Sequence, residues 1–118
     1  MYLIDTYLES IKRISTNDHS IDLVLLDAFI LELSENKDDL ENALEGKNLE
    51  NLRKILHKLK PTIQILGHEE AVQSMFNIRM KGINSENFEI IQVEGSLLMG
   101  YISEILVTLM EHKNKSVS

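Results

Sequence analysis

One histidine in this sequence stands where its imidazole could do chemistry. His57 lies within the run Leu56-His57-Lys58-Leu59-Lys60-Pro61, and Gly67 follows ten residues after it. In a helix, at about 100° per residue, His57 projects roughly 130° from the centre of an apolar stripe. Lys60 lies one turn further on, on the same flank. A solvent-exposed imidazole beside a cation can act as a nucleophile and carry a phosphoryl group.

The surroundings of His57 are basic, although the chain is acidic, with a formal net charge of -7. Arg53 and Gln64 share the flank of His57 at i−4 and i+7, and Lys58 is its neighbour. No Asp or Glu occurs between Asn51 and His68. Two interpretations stay open: the cations accommodate the helix dipole in its later turns, or they form a patch that meets an anion.

Pro61 is a second unusual feature of the same segment. A proline inside a helix lacks the N–H that would bond to the carbonyl four residues back, which is that of His57, and typically costs about 3 kcal/mol. We therefore expect a local bend or a loosened turn beside His57. The alternative is a tolerated kink without a functional role.

The elements that carry these residues are predicted to be helices, because apolar residues recur at steps of three and four. Five helices are predicted, at about 3–14, 20–45, 48–66, 69–80 and 86–111. In the third, Asn48 is a natural N-cap, Gly67 ends the helix, and the apolar seam consists of Leu49, Leu52, Leu56, Leu59, Ile63 and Leu66. In the fourth, the residues predicted to point inward are Val72, Met75, Phe76 and Met80.

Short connections between long amphipathic helices favour antiparallel neighbours. The predicted fold is all-α: an up-and-down antiparallel four-helix bundle with an additional N-terminal helix packed at one end. We expect a single domain over residues 1–112, followed by a frayed tail over 113–118.

Composition excludes several classes of function. The 118 residues include no Cys, which rules out disulfides and thiolate zinc sites and fits a reducing, cytoplasmic location. The negative charge argues against nucleic-acid binding, and no long uncharged apolar run predicts a membrane span. No Gly-rich phosphate loop is present, so the chain is not expected to bind ATP or to act as a self-sufficient kinase. His19, His68 and His112 are scattered, and we expect no metal site and a monomeric protein.

The run from His57 to Gly67 resembles the signature of histidine phosphotransfer domains. That family has a His, a Lys three residues later and a Gly ten residues after the His, which His57, Lys60 and Gly67 match. Pro61 departs from the pattern, since Gly is usual there and gives an incoming partner room at the imidazole. The resemblance extends to Phe29, the segment 40–44 and Asn48, which correspond to the helix before the active one and its cap.

The resemblance implies a relay function. Members accept a phosphoryl group from an aspartyl phosphate on a response-regulator receiver domain and pass it to the aspartate of another. By resemblance, His57 would be phosphorylated and Lys60 would neutralise charge on the phosphoryl oxygens, with Arg53, Lys58, Pro61 and Gln64 at the partner interface. Side chains of the second helix are expected to complete that interface.

The implied partners are response-regulator receiver domains, and a hybrid histidine kinase is a further candidate partner. The chain itself would need no cofactor, because Mg²⁺ is expected on the receiver. The alternative is a non-catalytic helical adaptor that binds a signalling partner, in which His57 has no chemical role.

Overall fold

The computed structural model describes residues 4–117, and these form an all-α protein. Five α-helices and one π-helical segment follow each other: α1 (Ile4–Ser15), α2 (His19–Glu45), α3 (Leu49–Leu66), α4 (Glu69–Asn77), the π-helical segment (Ile78–Ile83) and α5 (Phe88–Val117). The five helices pack antiparallel in a compact bundle, which confirms the predicted fold class.

The bundle is built from α2, α3, α4 and α5, each packed on the next, with α5 closing back on α2. Helix α1 contacts α2, α3 and α5. It meets the start of α2 and the end of α5, where Ile11, Leu26 and His112 line a common cavity. Short turns impose this arrangement, because a chain that reverses within three residues must lay its next helix against the previous one.

Helix α3 is held by the apolar seam that the sequence predicts. Leu52, Leu59, Ile63 and Leu66 are completely buried, and Leu56 is 6% exposed. Thr62 is also buried, and its Oγ1 donates a hydrogen bond to Glu32 Oε2 of α2 at 2.7 Å. The buried seam and this bond fix which flank of α3 faces α2.

The fourth helix differs from its prediction. It ends at Asn77, and the chain continues as a π-helix to Ile83. The predicted inward residues Phe76 and Met80 are instead 48% and 43% exposed.

The π-helical segment packs closely on α5 because of one glycine. Gly82 is buried, and a Cβ at this position would stand 2.5 Å from Ile91 Cγ1 of α5. A contact that short does not occur between real side chains, so the missing Cβ lets the two backbones approach. The predicted helices leave residues 81–85 as a connection, whereas the structure places Gly82 in this contact between the π-helical segment and α5.

Helix α5 extends beyond the predicted end near residue 111 and continues to Val117. In this extension Lys113 Nζ lies 2.8 Å from Asp27 Oδ1 of α2. By length and composition alone, Phe88–Lys115 could cross a membrane, because an 18-residue window within it has a mean hydropathy of 1.4. Core helices of soluble proteins meet the same criterion, and α5 supplies Ile91, Leu98, Ile102, Ile105 and Leu109 to this core.

The turn between α3 and α4 is defined by Gly67 and His68. Gly67 has φ 78°, a left-handed conformation that glycine adopts without strain, and its N–H donates to the carbonyls of Ile63 and Gln64. His68 is completely buried, and its Nδ1 accepts a hydrogen bond from the Ala71 N–H at 3.1 Å. Its ring lies 5.1 Å from that of Tyr101 on α5, so the start of α4 is fixed to both neighbouring helices.

The buried seam predicts a large loss of stability on truncation. Leu59→Ala should lower the free energy of unfolding by about 2–5 kcal/mol, because it removes buried methyl groups and leaves a cavity. Leu31→Ala is the matched control, since Leu31 is 60% exposed and surface substitutions usually change stability by less than about 0.5 kcal/mol. Chemical denaturation measures both; equal losses would contradict the assigned core.

His68 predicts a pH dependence of stability. Burial lowers its pKa, although the carboxylates of Glu70 and Glu104 act in the opposite direction. The unfolded chain therefore binds a proton more readily, so the free energy of unfolding falls as the pH drops below the unfolded pKa of about 6.5. His68→Asn keeps a capping acceptor but removes the titration.

The corresponding measurement is denaturation at several pH values on both sides of that pKa. The His68→Asn variant should lose less stability on acidification than the wild type. His19→Asn, at an exposed position, serves as control. An unchanged pH dependence in His68→Asn would show that His68 does not contribute to it.

Candidate functional site

His57 lies on the outer face of α3 and is exposed. The helix begins at Asn48, whose side chain accepts a hydrogen bond from the Asn51 N–H at 3.1 Å. It runs unbroken through Pro61 to Leu66. With Leu56 and Leu59 directed into the core, the 100° step per residue turns the intervening His57 toward solvent.

A groove of about 450 Å³ opens beside His57. It lies between α3 and the antiparallel helix α4 that follows it, and we call these two helices the α3–α4 hairpin. The α3 wall consists of Arg53, Leu56, His57, Lys60, Pro61 and Gln64. The opposite wall is formed by α4 and the π-helical segment through Val72, Met75, Phe76 and Arg79. The structure thus brings five of the six predicted site residues, all except Lys58, to one groove.

The structure places two parts of the expected partner interface outside this groove, and that interface stays a prediction. The groove wall opposite His57 comes from α4 and the π-helical segment, and no residue of the second helix lines it. Lys58 is exposed but does not line the groove. It precedes Thr62 by one turn, and Thr62 bonds to Glu32 of α2, so Lys58 belongs to the flank of α3 on the α2 side.

The charge in the groove is entirely positive. Arg53, Lys60 and Arg79 line it, and its lining includes no Asp or Glu. Within the part of the chain that the structure describes, these three side chains form no ion pair or hydrogen bond with another side chain or the backbone. By contrast, Lys54 on the adjacent face lies 3.6 Å from Glu50. The groove therefore presents three cations whose charge no nearby carboxylate neutralises.

Apolar side chains form much of the remaining groove surface. Phe76 is about half exposed, whereas Met75 on the same wall is 5% exposed. Pro61 is exposed on the other wall. An exposed aromatic ring beside unpaired cations can contact a protein partner through both apolar and charged groups.

Sequence reasoning missed the contribution of Arg79 and assigned Phe76 to the core. A signal was present in the spacing, since Val72, Phe76 and Arg79 follow each other at i, i+4 and i+7 and therefore share a helix face. The apolar residues on that face suggested burial. Only the packing of α4 on α3 shows that the face opens into a groove.

The other histidines lie elsewhere. His19 and His112 line a smaller cavity of about 180 Å³ between α1, α2 and α5, and His68 is buried in the α3–α4 turn. Among residues 4–117 no group of three or more His, Cys, Asp or Glu side chains could hold a metal ion. His57 is thus the histidine that combines exposure with a cationic groove.

Comparison of the chain with protein-family models, with curated proteins and with solved structures found no match. The functional argument therefore depends on the bundle and on the groove beside His57.

Proposed function

We propose that this protein is a histidine phosphotransfer carrier that relays a phosphoryl group between aspartates of receiver domains. The observation that supports the proposal is the exposed imidazole of His57 at the edge of a groove with three cations and no carboxylate. The sequence pattern of His57, Lys60 and Gly67 supports it independently. The all-helical bundle is compatible with this function, although a bundle alone does not indicate chemistry.

The reaction needs only groups that the chain and a receiver can supply. A neutral ring nitrogen of His57 attacks the phosphorus of the aspartyl phosphate. A P–N bond forms, the P–O bond breaks, and the aspartate leaves as a free carboxylate. The reverse sequence with a second receiver returns the phosphoryl group to an aspartate. Mg²⁺ on the receiver would offset charge at the acyl phosphate.

The residues around His57 would act by electrostatics and by positioning. Lys60 lies one turn from His57 and lines the same groove, so its ammonium group can neutralise charge on the phosphoryl oxygens. Gln64, a further turn along, could donate a hydrogen bond. The ring of Pro61 leaves a partner less room near His57 than a glycine would. Pro61 and His57 are nevertheless both exposed in the groove, so the imidazole remains accessible.

The second candidate function is an adaptor that binds a partner without phosphoryl transfer. The exposed ring of Phe76 favours it, because an apolar wall beside cations suits partner binding whether or not His57 reacts. The two functions differ in a single measurable property, the acceptance of a phosphoryl group by His57.

The first test is His57→Gln, which should abolish phosphoryl acceptance from a panel of phosphorylated receivers. The fold should remain intact, because residue 57 is exposed. Acid-labile, base-stable label measured by intact mass and peptide mapping gives the result. His19→Gln, a change of the same type at an exposed site, should retain full acceptance. Label on His19, His68 or His112 would reject the assignment, and no label from any receiver would favour the adaptor.

The second test concerns the docking face. Arg53→Glu should lower the association rate with a competent receiver by roughly 3–10-fold at low salt, while transfer within the complex changes less, because charges near an interface mainly steer encounter. Lys54→Glu is the matched control: it makes the same change of charge at the next residue, outside the groove. Stopped-flow measurements over a salt series separate the two rates.

Association of the wild type should weaken with salt, since exposed charges are screened beyond about 10 Å at 0.1 M. Equal effects of Arg53→Glu and Lys54→Glu would show that only net charge matters. The docking face would then have to be sought outside the groove.

A further inference from the structure

The wall of the groove opposite His57 carries a cation that the sequence motif does not include. Arg79 lies just beyond the end of α4, in the π-helical segment, and lines the groove together with His57. Arg53 and Lys60 belong to the same helix as His57. Arg79 is therefore the charge that tertiary packing adds to the site.

The register of the α3–α4 hairpin places Arg79 opposite His57. His57 stands ten residues before Gly67, and Arg79 stands eleven residues after His68. At about 1.5 Å per residue, both lie roughly 15–17 Å from the turn along antiparallel helices. Arg79 also shares the face of Val72 and Phe76, which forms the second wall. Its guanidinium can therefore reach a group attached to the imidazole from across the groove.

The backbone that carries Arg79 is held firmly. Its neighbour Ile78 and the later Ile83 are buried, and the close contact of Gly82 with Ile91 fixes the segment against α5. The carbonyl of Arg79 accepts a hydrogen bond from the Asn84 N–H at 2.9 Å, a bond that spans five residues as in a π-helix. Single π-helical turns within α-helices occur frequently at functional sites. Here the π-helical segment places the side chain of Arg79 in the lining of the groove.

The chemistry of Arg79 suits a phosphoryl group. A guanidinium presents N–H donors in a planar fork that matches phosphate oxygens, whereas an ammonium group acts as a point charge. Arg79 forms no ion pair or hydrogen bond through its side chain within the described residues, so no existing contact must be broken. A phosphoryl group on His57 would bring negative charge and acceptor oxygens into this space.

We infer that Arg79 binds the phosphoryl oxygens of phosphorylated His57 from across the groove, in addition to Lys60. This inference depends on the proposed function, because it concerns the loaded form of the carrier. It assigns to the site a phosphate-binding residue that lies outside the His–Lys–Gly pattern. Arg53 lies one turn before His57 on the α3 wall, so the cations of the groove come from two elements.

The experiment loads His57 chemically, so that no receiver is needed. Phosphoramidate transfers its phosphoryl group to an imidazole nitrogen: its own P–N bond breaks, ammonia leaves, and a new P–N bond forms. The ³¹P resonance of the product is then titrated over the pH range in which phosphohistidine survives. A guanidinium near the phosphoryl group favours its more negative form and lowers its titration midpoint.

Removing that charge should raise the midpoint. In Arg79→Gln we expect a rise of about 0.3–1 pH unit, less than for a buried pair because water screens the contact. Lys81→Gln is the matched control, since it removes a cation two residues away that is exposed and does not line the groove. Arg79→Lys keeps the charge and should retain most of the wild-type midpoint, which a merely structural role would not explain. Circular dichroism verifies that all variants fold.

The outcomes separate the two proposals. Equal midpoints in Arg79→Gln and Lys81→Gln would overturn the role of Arg79 and leave the carrier function untouched. Loading by phosphoramidate with the expected midpoints, but no acceptance from any receiver, would support the phosphate site and reject the carrier. Failure of His57 to accept a phosphoryl group from either source would overturn both.

Discussion

The turn at Gly67 and His68 constrains how α4 lies against α3, and the groove depends on that constraint. The left-handed Gly67 ends α3 with its N–H bonded to the carbonyls of Ile63 and Gln64, and the buried His68 begins α4 with its own ring as the cap. Contact with Tyr101 then ties this turn to α5. With both helix ends fixed, the register of the hairpin cannot slip without losing the cap and the burial of His68. Residues ten or eleven positions from the turn therefore face each other across the groove.

The electrostatic character of the groove contrasts with that of the chain as a whole. The protein has a formal net charge of -7, but three cations line one groove with no carboxylate among them. Cations kept together without partners repel one another, so such an arrangement gains stability when an anion binds. A phosphoryl group on His57 and the acidic pocket of a receiver would both provide negative charge at this place. The same groove could thus serve a partner and a covalently bound phosphoryl group in turn.

The apolar wall beside the cations bears on how a partner would bind. Phe76 and Pro61 remain exposed on opposite sides, so a docking surface could bury them while charges guide the approach. Relay partners must associate and separate quickly, which suits an interface at or below about 1,200 Å². An adaptor would use the same surface without transferring a group. Because shape and charge serve both functions equally, the reactivity of His57 distinguishes them.

The sequence by itself determined the first three helices, the seam of α3 and the exposure of His57. These features depend on local periodicity. At about 100° per residue, the side chains of His57 and Leu59 point to different sides of the helix, whatever the rest of the chain does. The caps at Asn48 and Gly67 were also readable, because they depend on residue type and on one or two neighbouring backbone angles.

Tertiary structure alone decided which residues complete the site. Phe76 lies on an apolar face, and periodicity cannot tell a face that packs on a helix from one that opens into a groove. The role of Gly82 could not be predicted from local sequence either. Its close contact is with Ile91, which lies nine residues further along the chain and on another helix. Arg79 lines the same groove as His57 because the α3–α4 turn fixes the packing of the two helices and α5 holds the π-helical segment in place. Local sequence sets the direction of a side chain within its own helix, whereas contacts between helices set what stands opposite it.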